Sequence, residues 1–206
     1  MFNPNSKPEE FDRELIPEGP HLARCARIIE IGQHLSGFPQ PDGKEEYPKN
    51  KAVIVFSLPN VIMNFGEKLG DKQAFISNPF GITMSTNDRA IMKRYSKALD
   101  PQGNATSLGY FLDQPCQISV IHKERKDKPP VAIIDSIAPC LPGLTVPPLD
   151  TDPFWFQWDS PEPDLLAQVP PFTRELMTQA VNYPDSRVQR LIEQMGQEPA
   201  DQEDAF

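Results

Sequence analysis

The chain has 206 residues, with 20 Lys+Arg against 29 Asp+Glu for a formal charge of −9, and 24 prolines. That length holds one domain with a real core plus appendages, and a proline load more than twice the average sets a good part of it in extended form. Taken whole, the acidity argues against a phosphate-bearing partner, and no stretch approaches the roughly 20 apolar residues of a membrane span.

Residues 1 to 20 place Pro4, Pro8, Pro17 and Pro20 among acids and lack the apolar run of a signal peptide. They read as an extended arm outside the core, with one turn near Glu9 to Leu15, and a cytoplasmic location is expected. His21 to Ile31 (HLARCARIIEI) turns rich in β-formers and is closed by Gly32, which predicts a first strand. Ser36 to Lys49, marked by Gly37, Pro39, Pro41, Gly43 and Pro48, reads as loop.

Lys51 to Leu58 (KAVIVFSL) is the clearest strand, an apolar run too short for a free-standing helix and stopped by Pro59-Asn60. Val61 to Phe65 and Gln73 to Met84 then flank Gly66 to Lys72, predicting a long hairpin with a basic and polar tip. Ser85-Thr86-Asn87-Asp88 is a run of N-cap residues, and Ile91, Tyr95, Ala98 and Leu99 recur at helical spacing. The other face of that helix presents Arg89, Lys93 and Lys97, with Arg94 at its boundary.

Gln117 to His122 (QISVIH) and Val131 to Ala138 (VAIIDSIA) predict two more strands, joined by the most basic stretch of the chain, Lys123 to Pro130. Nine of the 33 residues from Pro139 to Pro171 are proline, so no sheet or helix is expected to run through them. Phe172 to Met195 shows helical pieces interrupted at Tyr183-Pro184.

Strand, strand, long hairpin, helix, strand, strand is the order of an OB-like five-stranded antiparallel barrel with one helix between strands three and four. A partly open antiparallel sheet with one helix has the same order. The expected fold is mainly β with appended helices: an arm at 1–20, an OB-like nucleic-acid-binding domain at 21–140, a Pro/aromatic-rich strap at 141–171, a helical segment at 172–196 and a disordered acidic tail at 197–206.

Pro17-Glu18-Gly19-Pro20-His21-Leu22-Ala23-Arg24, Ile28-Ile29-Glu30-Ile31-Gly32, Lys49 to Phe56, Thr83-Met84-Ser85 and Leu112 to His122 together resemble a group of phage replication-region proteins regarded as OB-fold single-stranded DNA-binding proteins. The likeness covers roughly residues 17 to 140. Where that family commonly has Leu-Gly-Lys-Pro-Cys, this chain has Leu112-Asp113-Gln114-Pro115-Cys116. The resemblance implies action on single-stranded DNA in the host cytoplasm during phage replication or recombination.

The distribution of charge is compatible with such a partner. Met1 to Cys140 holds 17 cations and 17 acids, while Leu141 to Phe206 holds 3 and 12, so the C-terminal third carries the whole −9. Between His21 and Pro139 there are 15 cations and 12 acids. The tail, with Asp201, Glu203, Asp204 and the aromatic Phe206, cannot bury enough surface to fold alone. It suits recruitment of replication or recombination proteins, Phe206 filling an apolar pocket and the acids meeting a basic rim, or else serves only solubility.

Single strands are held by cations tracking phosphates and by aromatic faces that stack bases. The candidate cations are Arg24, Arg27, Lys49, Lys51, Lys68, Lys72, Lys123, Arg125, Lys126 and Lys128. Among Phe38, Tyr47, Phe56, Phe75 and Phe80, the favoured stackers are Phe75 and Phe80, which flank Asn78-Pro79, whereas Phe56 is expected in the core. The aromatic cluster Phe154-Trp155-Phe156-Gln157-Trp158 reads as a strap that caps the barrel or docks on a neighbouring subunit, which would admit a homodimer through residues 150–160.

His21, His34 and His122 lack metal-ligand spacing, no nucleotide-binding glycine motif occurs, and Cys25, Cys116 and Cys140 have no CxxC spacing. No catalytic residue, metal or cofactor is therefore expected. The rival reading is a non-enzymatic phage interaction or virion protein that uses a β-barrel as a scaffold.

Overall fold

The computed structural model describes residues 14–35, 47–64, 70–85, 87–126 and 128–197. Seven strands and four helices follow in chain order: β1 (Gly19–His34), β2 (Lys49–Asn64), β3 (Asp71–Ser77), β4 (Ile82–Thr83), α1 (Ile91–Leu99), β5 (Pro115–Arg125), β6 (Lys128–Pro139), β7 (Phe154–Phe156), α2 (Pro163–Gln168), α3 (Pro171–Thr178) and α4 (Arg187–Gln197). A 3-10 turn, Leu108–Phe111, precedes β5. The sheet runs β3-β2-β1-β5-β6 with antiparallel neighbours, and it curls until β3 and β6 come into contact. This is an OB-like half-barrel with the helix α1 between its third and fourth long strands.

The long strand β1 is the spine. Its first half, Gly19 to Arg24, pairs with β5, and its second half pairs with β2 while β7 adds to it in parallel at Arg27 to Ile29. A bulge between Cys25 and Arg27 explains how one strand serves two cores. Ala23, Cys25 and Ile28 enter the barrel interior, which an unbroken period of two would forbid, while Ile29 and Ile31 face outward.

Two cores result. Inside the curl, Ala52, Ile54, Phe56 and Leu58 of β2 meet Ile118 and Val120 of β5 and Met92, Tyr95 and Leu99 of α1. Outside, Val53 and Val55 lie under Phe154, Phe156 and Trp158 of the strap and Leu166, Val169, Leu176, Met177 and Val188 beyond it. The unbroken apolar run of β2 thus has a physical cause: both of its faces are covered.

Several expectations are corrected. β2 continues through Pro59-Asn60 to Asn64, because a register shift between Leu58 and Ile62 absorbs the proline. β1 likewise runs past Gly32, which sits at a second bulge with φ of 85°. The stretch from Gln73 to Met84 is not one strand, since a turn closed by the Gly81 N–H to Asn78 C=O bond separates β3 from β4. Ile16, expected outside the core, is buried in the inner one.

The helix starts at Ile91 rather than straight after Asp88, and no side chain caps it. Ser85 and Asn87 instead accept backbone N–H groups two residues on, forming local turns. Met92 takes the inward position and Ile91 is exposed.

The proline-rich segment does contain elements. β7 is three residues of an extended chain that need only one side of β1, and α2 and α3 each begin with proline in the first turn, where no N–H is required. The anticipated loop at Lys123 to Pro130 is the end of β5 and the start of β6, which pair as far as Arg125 and Lys128.

The strap and the helical segment after it are each tied to β1. Glu30 accepts the Trp155 Nε1–H at 3.0 Å and the Trp158 backbone N–H at 2.8 Å on separate carboxylate oxygens. Further on, Asn182 Oδ1 accepts the Gln33 N–H at 2.7 Å and the Val181 N–H donates to the Gln33 C=O at 2.7 Å. Within 150–160, Phe154, Phe156 and Trp158 are buried against the chain's own sheet, while Asp150, Asp152 and Asp159 are exposed.

Candidate nucleic-acid interface

β1 is antiparallel to both β2 and β5, so the β2–β3 and β5–β6 hairpins turn toward the same end of the sheet, near the start of β1. That end carries Lys72 on one hairpin and Lys123, Arg125, Lys126 and Lys128 on the other, all exposed. Arg125 donates its Nε–H to the Pro129 carbonyl at 2.8 Å, which braces the β5–β6 turn and leaves the guanidinium nitrogens for an outside acceptor. Exposed apolar groups stand beside the cations: Ile62 on β2 is 59% exposed and Ile121 on β5 is 38% exposed.

Lys49 and Lys51 belong to the opposite end, where β2 starts and pairs with His34 and Gly32. β4 lies alongside, with Thr83 opposite Lys51 and the Met84 N–H donating to the Asn50 C=O at 2.8 Å. Phe80, 68% exposed, leads into β4 and stands edge-on to Phe172 of α3 at a centroid distance of 5.9 Å. Burial, with a smaller contribution from the Lys51 charge, pushes His34 below its ordinary value against the bond to the Ile31 carbonyl.

Arg24, Arg27 and Phe75 are engaged within the chain. Arg24 donates Nε–H to the Pro147 C=O at 2.7 Å, one terminal nitrogen to the Val146 C=O at 2.9 Å and the other to the Asp113 C=O at 2.6 Å, with the Asp113 carboxylate at 3.2 Å. It clamps the strap to the turn before β5. Asp113 has φ of 60°, the left-handed conformation that glycine favours.

The Arg27 guanidinium lies between the rings of Phe75 and Phe154, 5.1 and 5.5 Å from their centroids. Burial lowers its pKa from the ordinary value and the Asp150 charge opposes this. Arg27 also borders an open hollow of about 540 Å³ whose wall includes Asp113, Asp150 and Asp152, a poor setting for a phosphate.

Lys68, Phe38 and the tail residues Asp201, Glu203, Asp204 and Phe206 lie outside the described residues. Tyr47 is 75% exposed at the foot of β2, and Phe56 is fully buried. Cys25 and Cys116 are buried free thiols, and burial pushes both well above their ordinary range. Among the described residues no His, Cys, Asp and Glu group could hold a metal ion, and no helix is long and apolar enough to cross a membrane.

The structure adds residues that chain order did not point to. A cavity of about 320 Å³ at the Lys49 end is lined from six separate segments, by residues that include Gln33, Asn50, Lys51, Trp158 and Asn182. The close approach of Gly32 to Trp158, Ala180 and Asn182, invisible in sequence, brings these segments together. No protein-family model matches the chain, and no curated protein matches it.

Proposed function

We propose that this chain binds single-stranded DNA without strong sequence specificity, as the resemblance to phage single-strand binders implies. The observation that supports it best is the placement of cations: five exposed Lys and Arg side chains on two hairpins that turn at one end of an OB-like half-barrel. Phosphates would follow the hairpin cations, and Phe80 beside Phe172 offers an exposed ring for a base. On the same reading the acids around Asp201 to Phe206 recruit replication or recombination proteins, and deleting them leaves DNA affinity equal or higher while abolishing recruitment.

Fluorescence anisotropy of an oligo(dT) against salt tests the reading. Log affinity is expected to fall against log salt by about 0.7 per phosphate neutralised. Changing Lys123, Arg125, Lys126 and Lys128 to Gln then flattens the slope by as much as about 2.8. No binding at low salt would overturn it.

One observation favours a second reading, a non-enzymatic interaction or virion protein. OB folds bind oligonucleotides on the face around strands two and three, and here Val53, Val55 and Phe75 on that face lie against the strap and helices. Re-exposing Val53, Val55 and Phe75 together with Phe154, Phe156, Trp158 and Leu166 that cover them costs on the order of 10–20 kcal/mol, against roughly 1–3 kcal/mol per stacked base. If the chain does bind a strand, that cost directs the strand to the uncovered ends rather than to this face.

A further inference from the structure

We propose that the cavity between the end of β1, the start of β2 and the strap docks one nucleobase of a bound strand and prefers cytosine to thymine. This rests on the strand-binding reading above. The cavity, about 320 Å³, lies at the small end of the roughly 300–1,000 Å³ of ligand sites. That is a size for one nucleotide rather than two.

Its walls divide by chemistry. Met84, Leu108 and the Trp158 ring supply apolar surface, and Lys51 supplies a cation for the adjoining phosphate. Gln33, Asn50 and Asn182 supply three amides, each able to donate and accept. Asn182 spends its oxygen on the Gln33 N–H, which keeps its NH₂ as a donor. The side chains of Gln33, Asn50 and Lys51 hold no hydrogen bond or ion pair among the described residues.

Two carboxylates set the preference. Glu30 is anchored by Trp155 and Trp158 but retains lone pairs on both oxygens, and Asp159 is exposed at the wall. Cytosine offers them an amino group with two protons, while its ring nitrogen and carbonyl accept from the amides. Thymine in the same place aims a carbonyl at the carboxylates. Both bases are pyrimidines, so stacking differs little and the hydrogen-bonding edge decides.

The test titrates the full chain with labelled oligo(dC) and oligo(dT) of equal length at one salt concentration. Oligo(dC) is expected to bind about five-fold tighter or more. Asn50→Ala and Asp159→Ala should each bring the ratio toward one, whatever they do to oligo(dT) affinity. Equal affinities in the unmodified chain, or a ratio that survives both substitutions, overturn the proposal while leaving strand binding intact. A second arm follows the Trp158 indole N–H resonance with dCMP and dTMP alone. A shift with dCMP and a weaker one with dTMP, in a protein that binds neither oligonucleotide, would uphold the cavity and sink the strand reading. No shift with either, beside equal oligonucleotide affinities, removes the cavity.

Discussion

Gly32→Ala should detach the strap from the barrel. Gly32 has φ of 85°, and a Cβ built there would lie 2.7 Å from Trp158 Cη2, 2.8 Å from Ala180 Cβ and 2.8 Å from Asn182 Oδ1. None of these neighbours can yield cheaply: the Trp158 N–H is held by Glu30, Asn182 Oδ1 by the Gln33 N–H, and Ala180 is buried beside Val181, whose N–H is bonded to Gln33. The left-handed backbone costs about 1–2 kcal/mol for a residue with a Cβ, and overpacking adds about 1–3 kcal/mol.

A loss of about 2–5 kcal/mol is a large share of the about 5–15 kcal/mol that holds a domain together. Urea unfolding followed by tryptophan fluorescence reads it directly. Gly103→Ala is the control, because Gly103 has φ of 76° but nothing within 4 Å of its Cβ position. It should show the backbone cost alone. If Gly32→Ala loses no more than Gly103→Ala, the close packing inferred between β1 and the strap is wrong.

Arg24→Ala should destabilise the chain by about 1.5–3 kcal/mol through its lost carbonyl bonds yet leave the salt slope of strand binding unchanged, and a flattened slope would return Arg24 to the interface. Burial lifts the Tyr95 hydroxyl to about 12, offset in part by the Asn78 amide that donates to it. A pKa raised on folding stabilises fully below the unfolded value near 10 and is lost as pH climbs to 12, so about 2–3 kcal/mol should disappear across that window. Tyr95→Phe should remove this alkaline loss in pH-dependent urea melts. Burial raises the Cys140 thiol from its ordinary value and the Arg24 charge opposes this; as the least buried thiol it should react first with a thiol reagent at pH 8, while Cys25 and Cys116 should react only on unfolding.

What could be read from the sequence follows from what is local. The run Lys51 to Leu58 announces a strand with both faces covered, and the order of strands around one helix fits the half-barrel, an order an open sheet shares. Bulges were not legible: Cys25, Arg27 and Ile28 differ from a regular strand only through pairing with β2. The basic stretch from Lys123 to Lys128 was legible as an exposed site because cations crowd a reversal. Arg24 and Arg27 looked the same in sequence, and what separates them is tertiary: Asp113, Val146 and Pro147 for one, Phe75 and Phe154 for the other. The amide-lined cavity draws on residues as far apart as Glu30 and Asn182, so no spacing could have foretold it.

The acidity of the C-terminal third gains a structural meaning from where that third lies. Residues 141–197 hold eight acids and three cations, and this stretch lies along the outer face of β1 and β2. A polyanion approaching that face meets like charge as well as a sealed apolar seam. Among the described residues, exposed cations stand elsewhere, with Lys72, Lys123, Arg125, Lys126 and Lys128 at the hairpin end and Lys49 at the start of β2. The strap's aromatics complete the outer core, and on the proposed function its acids would push a strand toward the ends of the barrel. Had the strap been basic, the covered face would still attract DNA without being able to bind its bases, and the hairpins would compete with it. An acidic cover over an apolar seam leaves one kind of surface, the uncovered ends, for a strand to use.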